Sequence, residues 1–222
     1  MRKAGEIVGK TLALLKASVE PGMTTRDLDR IAFKEITRSG ASPTFKGYRG
    51  FPATICTSVN EEIVHGIPGR RKLQEGDIIK VDVGATIEGF IGDAAVTIAV
   101  GEVPEALLAL MEDTRLGLEE GIKAAVPGAR VGDIGAAVQE YGESRGYGVV
   151  REFVGHGVGR FLHEDPQVPN YGWLAVGHCC APVCASPLSL CSMRETGGPG
   201  FWMMIGLWSP RTGNFLPILN IQ

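Results

Sequence analysis

The sequence predicts a mixed α/β protein, in the α+β sense, in which helices cover an antiparallel sheet and the chain consists of two duplicated halves. Three observations support this: a long β-hairpin pattern in mid-chain, helical patterns on both sides of it, and an internal repeat of turn and capping residues. With 222 residues, 44% of them hydrophobic, the chain can form one large core or two small ones.

Two helices are predicted first. Residues 2–19 place apolar side chains at helical spacing, and Pro21-Gly22 ends that pattern. Thr24 or Thr25 can then cap the start of a second helix, and Gly40 is a suitable residue for its end. The helical pattern therefore occupies most of the first 40 residues.

Strand-like runs follow. ATICTSV and EIVHGI precede the stretch DIIKVDVGATIEGFIGDAAVTIAVG, in which two β-branched runs flank the turn pair Glu88-Gly89. Two more helices are predicted over about residues 104–125 and 131–146. The next stretch, GVVREFVGHGVGRFLHEDPQVPNYG, is strand-like with many glycines.

An internal repeat supports duplicated halves. The first copy consists of Pro21-Gly22, Asp27-Leu28 and Gly40, and the second copy has Pro127-Gly128, Asp133-Ile134 and Gly146 at the same offsets. Each copy follows one helix and spans another. We therefore expect the first half of the sheet in residues 50–100 and the second half in residues 149–222.

Charge and targeting patterns exclude several classes of protein. The net charge of -3 gives no basic face for nucleic acid. The first twenty residues lack the apolar run of a signal peptide, and no stretch approaches the roughly 18 apolar residues of a membrane span. We expect a soluble cytoplasmic protein that binds neither nucleic acid nor membrane, with its cysteines reduced.

Two aspartates on the hairpin are candidate metal ligands. With a two-residue turn at Glu88-Gly89, Asp82 faces Ala95 and lies one diagonal step from Asp93, on the same face of the sheet. Two carboxylates on one buried face repel each other unless one is protonated or a cation lies between them. The alternative is a pair of surface aspartates, but the surrounding apolar residues favour a covered sheet and a hard divalent ion.

Three histidines, in a chain that has only four, each lie next to or near a glycine. His156, in FVGHGVGRFLHEDP, has a glycine on each side, which lets other groups approach the ring closely. His163 follows seven residues later, and a bend at Gly159 would bring the two rings onto one side. His65 precedes a Gly-Ile-Pro turn. A single buried histidine is more often a core residue than a ligand, but three together favour a functional cluster.

The stretches TICTSVNEEIVHGIP, DIIKVDVGATIEGFIGDAAVT and FVGHGVGRFLHEDPQVPNY resemble three successive signatures of the type I methionine aminopeptidases. The resemblance covers about residues 1–170. It implies the pita-bread fold with pseudo-twofold halves. It also implies removal of the initiator methionine from nascent polypeptides by a metal-bound hydroxide that attacks the first peptide bond. The expected cofactor is one or two divalent ions (Co, Mn, Fe or Zn), and the expected state is a monomer.

The resemblance also assigns roles to residues. Asp82, Asp93 and His156 match metal ligands, and His65 and His163 match the histidines that contact the substrate and the developing tetrahedral centre. Four further residues match the lining of the methionine side-chain pocket: Tyr48, Phe51, Cys56 and Leu162.

The last segment departs from this pattern. The family has two more metal-ligating glutamates, in motifs like PGM-x-LAIEPM and AHFEHT, and neither motif is present. The only acidic residue after position 170 is Glu195. All three tryptophans and four of the five cysteines lie in that stretch. We therefore divide the chain into an incomplete catalytic domain, residues 1–170, and an aberrant tail, residues 171–222.

A frameshift explains the tail. Codons for APVCASPLSLCSMRE, shifted by one base, can encode PGMCLAIEPMLNAG, and FLPILNIQ can likewise encode SAHFEHT. Recovery of both missing motifs in order is improbable by chance. The cysteines at 179, 180, 184 and 191 lack the paired C-x2-C spacing of a structural zinc site, so we interpret them as a product of the shifted frame.

Three functions remain open at this point: a methionine aminopeptidase, a related peptidase that acts at prolyl bonds or on dipeptides, and a catalytically impaired remnant that serves as a binding module. Chain length and the TSVNEEIVHGIP segment favour the first over the second. The absence of the two glutamates supports the third.

Overall fold

Helices precede and follow a central antiparallel sheet in the computed structural model, which describes residues 1–180, 201–202, 205–209 and 214–219. The helices are α1 (Arg2–Ser18), α2 (Thr25–Arg38), α3 (Glu105–Ala124) and α4 (Val131–Ser144), with a short 3-10 helix at Tyr48–Gly50. The strands are β1 (Ser42–Pro43), β2 (Ile55–Val59), β3 (Ile78–Ile87), β4 (Phe90–Ala99), β5 (Gly148–Val149), β6 (Gly155–Gly157), β7 (Glu164–Val168), β8 (Phe201–Trp202), β9 (Ile205–Ser209) and β10 (Asn214–Leu219).

The first sheet is organised around β3. This strand pairs along its whole length with β4 on one side, and with β2 and then β1 on the other side, always antiparallel. Two three-stranded sheets form the rest: β10-β9-β5 and β7-β6-β8. The predicted mixed fold with antiparallel sheets and covering helices is confirmed.

Alternate residues of β2, β3 and β4 face a core under α1 and α2. We call this side of the first sheet the core face. Burial of these apolar side chains is the main stabilising contribution of the first half. The core face consists of Ile55, Val59, Ile79, Val81, Val83, Ala85, Ala94 and Ile98. A second core lies between α3, α4 and the strands after them, with Leu110, Leu118, Ile134 and Val138 at its centre.

The internal repeat appears as two matching helices of 14 residues, α2 and α4. Asp27 accepts a hydrogen bond from the backbone N–H of Thr24, and Asp133 accepts one from the backbone N–H of Arg130, so each acidic side chain caps its helix in the same way. Gly40 and Gly146 follow the two helix ends with φ of 78° and 80°, the left-handed conformation that ends many helices. The duplication predicted from the repeat is therefore present in the backbone.

The run EIVHGI is not a strand, contrary to the sequence-based expectation. The chain turns at Asn60, whose φ is 52°, and returns so that the N–H of Thr57 donates to the carbonyl of Gly66. His65 also has positive φ, 60°, which no extended strand can accommodate. Ile63 and Val64 of this run instead pack in an apolar cluster around Phe45, Cys56 and Leu162, whereas Ile67 is exposed.

Part of the tail has described backbone. Strands β8, β9 and β10 pair with β6, β5 and each other, and β10 lies beside β4. The described strands of the second half, β5 to β10, thus follow α4, in the part of the chain where the repeat predicted them. The frameshift and the domain boundary at residue 170 stay predictions. Cys179 and Cys180 are free thiols, and Cys184 and Cys191 lie outside the described residues.

No described helix combines the length and the apolar character that crossing a bilayer requires.

Candidate functional site

The β3–β4 hairpin has the register that the turn predicts. Glu88 and Gly89 both adopt positive φ, 53° and 75°, as a two-residue hairpin turn demands. Asp82 pairs with Ala95, and Asp93 pairs with Gly84. The two aspartates therefore lie one diagonal step apart on one side of the sheet. This side, opposite the core face, we call the site face.

The aspartate pair is buried without enough hydrogen-bond partners. Asp93 is 2% exposed, and neither its Oδ1 nor that of Asp82 has a partner among the residues that the structure describes. Burial raises the pKa of both carboxyl groups, and the neighbouring charge of Asp82 raises that of Asp93 further. The two carboxyls act on each other's pKa, so either a proton on one of them or a cation between them would relieve their repulsion. A divalent cation would satisfy both free oxygens, so the pair fits a metal.

His156 lies in β6, buried between Gly155 and Gly157. A Cβ at Gly157 would approach the carbonyl oxygen of Asp165 to 2.5 Å, so only glycine allows β7 to pass this closely. The Nδ1 of His156 donates to the carbonyl of Gly157 at 2.9 Å, which places the lone pair of the neutral ring on Nε2. Burial lowers the pKa of His156, so the ring is in the form that binds metals.

His163 contacts His156 directly. The two ring centroids are 4.3 Å apart, and the hydroxyl of Tyr48 lies 3.0 Å from the Nδ1 of His163. Burial against these neighbours lowers the pKa of His163 to about 4, and repulsion from His156, Arg49 and His65 contributes. His163 is therefore a neutral hydrogen-bonding group at neutral pH. His65 lies near enough to His163 to contribute to this repulsion.

The predicted pocket residues lie together. An apolar cluster on the site-face side contains Cys56, Leu162, Tyr48 and Phe51, all four of the predicted lining residues. Cys56 directly faces Asp82 across the β2–β3 ladder. Burial, together with the charges of Asp82 and Asp93, raises the pKa of the Cys56 thiol. Cys56 is therefore a neutral thiol that lines an apolar wall and not a thiolate ligand.

The sequence reasoning missed several members of this cluster. The remaining members are Phe45, Ile91, Val158, Met1, Ile63, Val64 and Phe153. Phe45 packs on Gly84, where a Cβ would approach the ring to 2.6 Å. The glycine of the KVDVG motif opposite Asp93 therefore makes room for an aromatic wall next to the aspartates. The aromatic-rich run PTFKGYRGF was the available signal for Phe45.

Glu164 is a second residue that the sequence did not single out. One oxygen of its carboxylate accepts hydrogen bonds from the backbone N–H groups of Arg160 and Phe161, at 2.8 and 2.9 Å. These bonds fold the loop that presents Leu162 and His163. The backbone N–H of Ile91 donates to the carbonyl of Gly159 at 2.8 Å and joins this loop to β4.

The predicted ligands are only partly assembled. Within residues 1–180 and the strands after them, no group of three or more His, Cys, Asp and Glu side chains is arranged around one point to hold a metal. The structure brings Asp82 and Asp93 into contact, and it brings His156 into contact with His163. The arrangement offers two oxygen ligands, a neutral imidazole pair and an apolar wall.

Comparison with known proteins agrees with this geometry. Residues 1–182 match the model of metallopeptidase family M24. A methionine aminopeptidase of Clostridium acetobutylicum is 56% identical over 173 residues, which are 78% of this chain and 69% of that protein. Methionine aminopeptidase 1 of Bacillus subtilis is 51% identical over 172 residues, with the same two coverages.

A solved structure shows the same fold. The crystal structure of methionine aminopeptidase from Thermotoga maritima superposes with a TM-score of 0.84 at 37% sequence identity, covering 100% of this chain and 86% of that one. The chain therefore belongs to metallopeptidase family M24, within the pita-bread methionine aminopeptidases.

Proposed function

We propose that this chain is a methionine aminopeptidase that hydrolyses the peptide bond after an N-terminal methionine. One observation carries the proposal. Asp82 and Asp93 are buried with unpartnered oxygens, as hard metal ligands are, and Cys56, opposite Asp82, belongs to an apolar cluster that can hold a thioether side chain. A metallopeptidase needs the first feature, and a preference for methionine needs the second.

Asp82, Asp93 and His156 are the residues that would hold the metal. Oxygen and imidazole ligands suit one or two ions of Co, Mn, Fe or Zn, and the chemistry of the ligands does not select among them. A bound ion would supply acidified water and polarise the scissile carbonyl.

The apolar cluster binds the methionine side chain. Phe45, Cys56 and Leu162 are buried in it, while Tyr48 and Phe51 are partly buried at its margin. An unbranched, polarisable thioether fits an irregular wall of aromatic rings and a thiol. The neutral Cys56 adds no charge that would oppose this apolar contact.

His65 and His163 hold the reacting peptide. We assign the Tyr48 hydroxyl as donor to Nδ1 of His163, so that Nε2 carries the ring proton and donates to the carbonyl oxygen of the first peptide bond. His65 contacts the same peptide from the loop that follows β2. Because the pKa of His163 is low, it donates this hydrogen bond as a neutral ring throughout the neutral range.

In the cell we propose the N-termini of nascent polypeptides as the substrate and the cytoplasm as the location, with the chain acting as a monomer in protein maturation. A net charge of -3 gives no support for a nucleic acid partner.

One observation favours a second candidate, a catalytically impaired remnant that binds without cleaving. The two glutamate motifs are absent from the sequence, and the part of the chain that the structure describes holds no group of three metal ligands. Such a protein would bind peptides at the apolar cluster and leave them intact.

Peptide cleavage after controlled metal loading tests both functions. The purified chain is stripped with a chelator, loaded with each of the four ions in turn, and mixed with a peptide that begins Met-Ala-Ser. We expect metal-dependent release of methionine and no further trimming, and no release from a peptide that begins Asp-Ala-Ser. Calorimetric binding of the peptide without release under any ion would instead establish the remnant.

A further inference from the structure

Lys80 is a buried cation on the site face that the proposed chemistry does not use. It lies on β3, two residues before Asp82, and is 4% exposed. Lysine is almost never this buried unless its ammonium group has a partner. The Nζ of Lys80 donates a hydrogen bond to the backbone carbonyl of Asn60. The strand that carries Asp82 therefore also holds the residue that follows β2.

Asn60 is fixed by further bonds. Its side-chain amide donates to Asp77 at 2.8 Å and accepts from the backbone N–H of Ile78 at 3.0 Å, while its own N–H donates to the carbonyl of Ile78 at 2.9 Å. Its φ of 52° turns the chain sharply away from β2. The backbone carbonyl of Asn60 is its one other polar group, and it accepts the hydrogen bond from Lys80.

The segment that starts at Asn60 ends beside the same strand. The backbone N–H of Gly66 donates to the hydroxyl of Ser58 at 3.0 Å, and its carbonyl accepts from Thr57 at 2.8 Å. Ser58 directly faces Lys80 in the β2–β3 ladder. Two neighbouring side chains on the site face thus hold the two ends of one loop, and His65 is the residue before its far end.

We propose that Lys80, together with Ser58, is a positioning residue for His65. By fixing the ends of the loop of residues 60–66, it sets where the His65 imidazole lies relative to Asp82 on the same strand. The proposal rests on the function proposed above, in which His65 contacts the scissile peptide. A purely structural Lys80 would stabilise the fold without acting through His65.

A double-mutant cycle separates these two roles. Lys80→Met keeps the length of the side chain and removes the ammonium group, so we expect kcat/KM for the Met-Ala-Ser peptide to fall about tenfold or more. In a His65→Ala background the same substitution should change kcat/KM less than twofold, because the group that it positions is gone. Equal losses in both backgrounds, or no loss in either, would overturn the proposal.

A second readout does not depend on catalysis. Hydrogen–deuterium exchange of the peptide covering residues 60–67 should become faster in Lys80→Met and stay unchanged in the matched control Thr97→Val. Thr97 faces Lys80 across the β3–β4 ladder, and its hydroxyl has no partner within the described chain. If the wild-type chain releases no methionine, the proposed function fails, whereas the exchange rates still decide whether Lys80 holds the loop.

Ser58→Ala keeps the proposal testable if Lys80→Met does not fold. It removes the acceptor for the Gly66 amide without burying or exposing a charge. The same pattern is expected: faster exchange over residues 60–67 and a loss of kcat/KM that disappears in the His65→Ala background. Unchanged exchange in this variant would show that the loop holds its position without the Ser58 hydroxyl, which would overturn the role proposed for Ser58.

Discussion

The two faces of the first sheet use the same strands for opposite purposes. On the core face, Ile79, Val81 and Val83 of β3 pack under α1 and α2 with no exposed surface. On the site face, the residues between and beside them are Lys80, Asp82 and Gly84, a buried cation, a carboxyl short of partners and a residue without a side chain. The core face stabilises the first half of the chain, and the site face carries groups that lower its stability.

This contrast shows how a strained site can be held in place. A strand directs successive side chains to opposite faces, so the backbone that positions Asp82 is fixed by its apolar neighbours one residue away. Bringing two carboxyl groups together in a buried place costs free energy unless a cation is present. The core face offsets that cost, and changes on the two faces should therefore have opposite effects on stability and activity.

The largest expected effect is on the site face. Asp93→Asn removes a metal ligand and half of the repelling pair. We expect methionine release to fall by about 10³-fold or more, which corresponds to roughly 4 kcal/mol of transition-state stabilisation. We also expect the metal-free protein to unfold at a higher denaturant concentration, because a neutral amide replaces the raised-pKa carboxyl. Steady-state kinetics and urea titration measure the two changes.

Asp113→Asn is a suitable control, because Asp113 accepts hydrogen bonds from Tyr141 and Tyr147 on the far side of α3 and has no role in the site. The Asp113→Asn variant should be less stable than the wild type, and its folded molecules should release methionine at the wild-type rate. If Asp93→Asn is less stable than the metal-free wild type, the buried aspartate pair does not reduce stability, and the contrast between the two faces is wrong.

The next effect is on the core face. Ile79 is fully buried between β2 and β4, so Ile79→Ala should lower the free energy of unfolding by about 2–4 kcal/mol. The affinity of the folded protein for a divalent ion, measured by calorimetry, should change less than threefold. A large loss of affinity would show that the two faces are not independent, and that the aspartate geometry depends on close packing one residue away.

Much of the fold could be predicted from the sequence because its signals are local. Glu88-Gly89 determined the turn, and the turn determined which residues of β3 and β4 face each other, including Asp82 and Asp93. The repeat of Asp27 and Asp133 at the start of two helices is also local, since each residue caps its own helix. Signals of this kind do not depend on what packs over them.

The rest of the site could not be predicted in this way. The apolar cluster joins Phe45, Cys56, Ile91 and Leu162, which come from four separate parts of the chain, so no periodic pattern marks it. The resemblance to known proteins supplied Cys56 and Leu162, and Phe45 required the structure. EIVHGI has a strand-like composition, but hydrogen bonds made by Ser58 and Thr57 bend it into a loop. Tertiary contacts decided each of these features.

A smaller effect is the pH dependence of the unfolding free energy, which the aspartates of the site face cause and the apolar residues of the core face do not. Because the pKa of both site-face carboxyls is raised above the unfolded value of 3.8, their contribution to stability is complete below about pH 4 and is lost as pH rises through the folded pKa values. Relative to Asp93→Asn, the metal-free wild type should lose about 1–2 kcal/mol of unfolding free energy between pH 4 and neutral pH. Urea titrations of both proteins across this range measure the difference. A constant difference would show that the pair is ionised, or neutral, throughout.

The smallest effect concerns Thr57, the polar exception on the core face. Its hydroxyl is buried and has no hydrogen-bond partner in the described parts of the chain, so Thr57→Val should raise the free energy of unfolding by about 1 kcal/mol. Thr114 is the matched control, since its equally buried hydroxyl donates to the carbonyl of Leu110 at 2.7 Å and Thr114→Val should lower stability. Thermal and urea unfolding of both variants give the sign. If Thr57→Val is the more destabilising of the two, the Thr57 hydroxyl has a partner such as a bound water, and the core face includes a polar contact of its own.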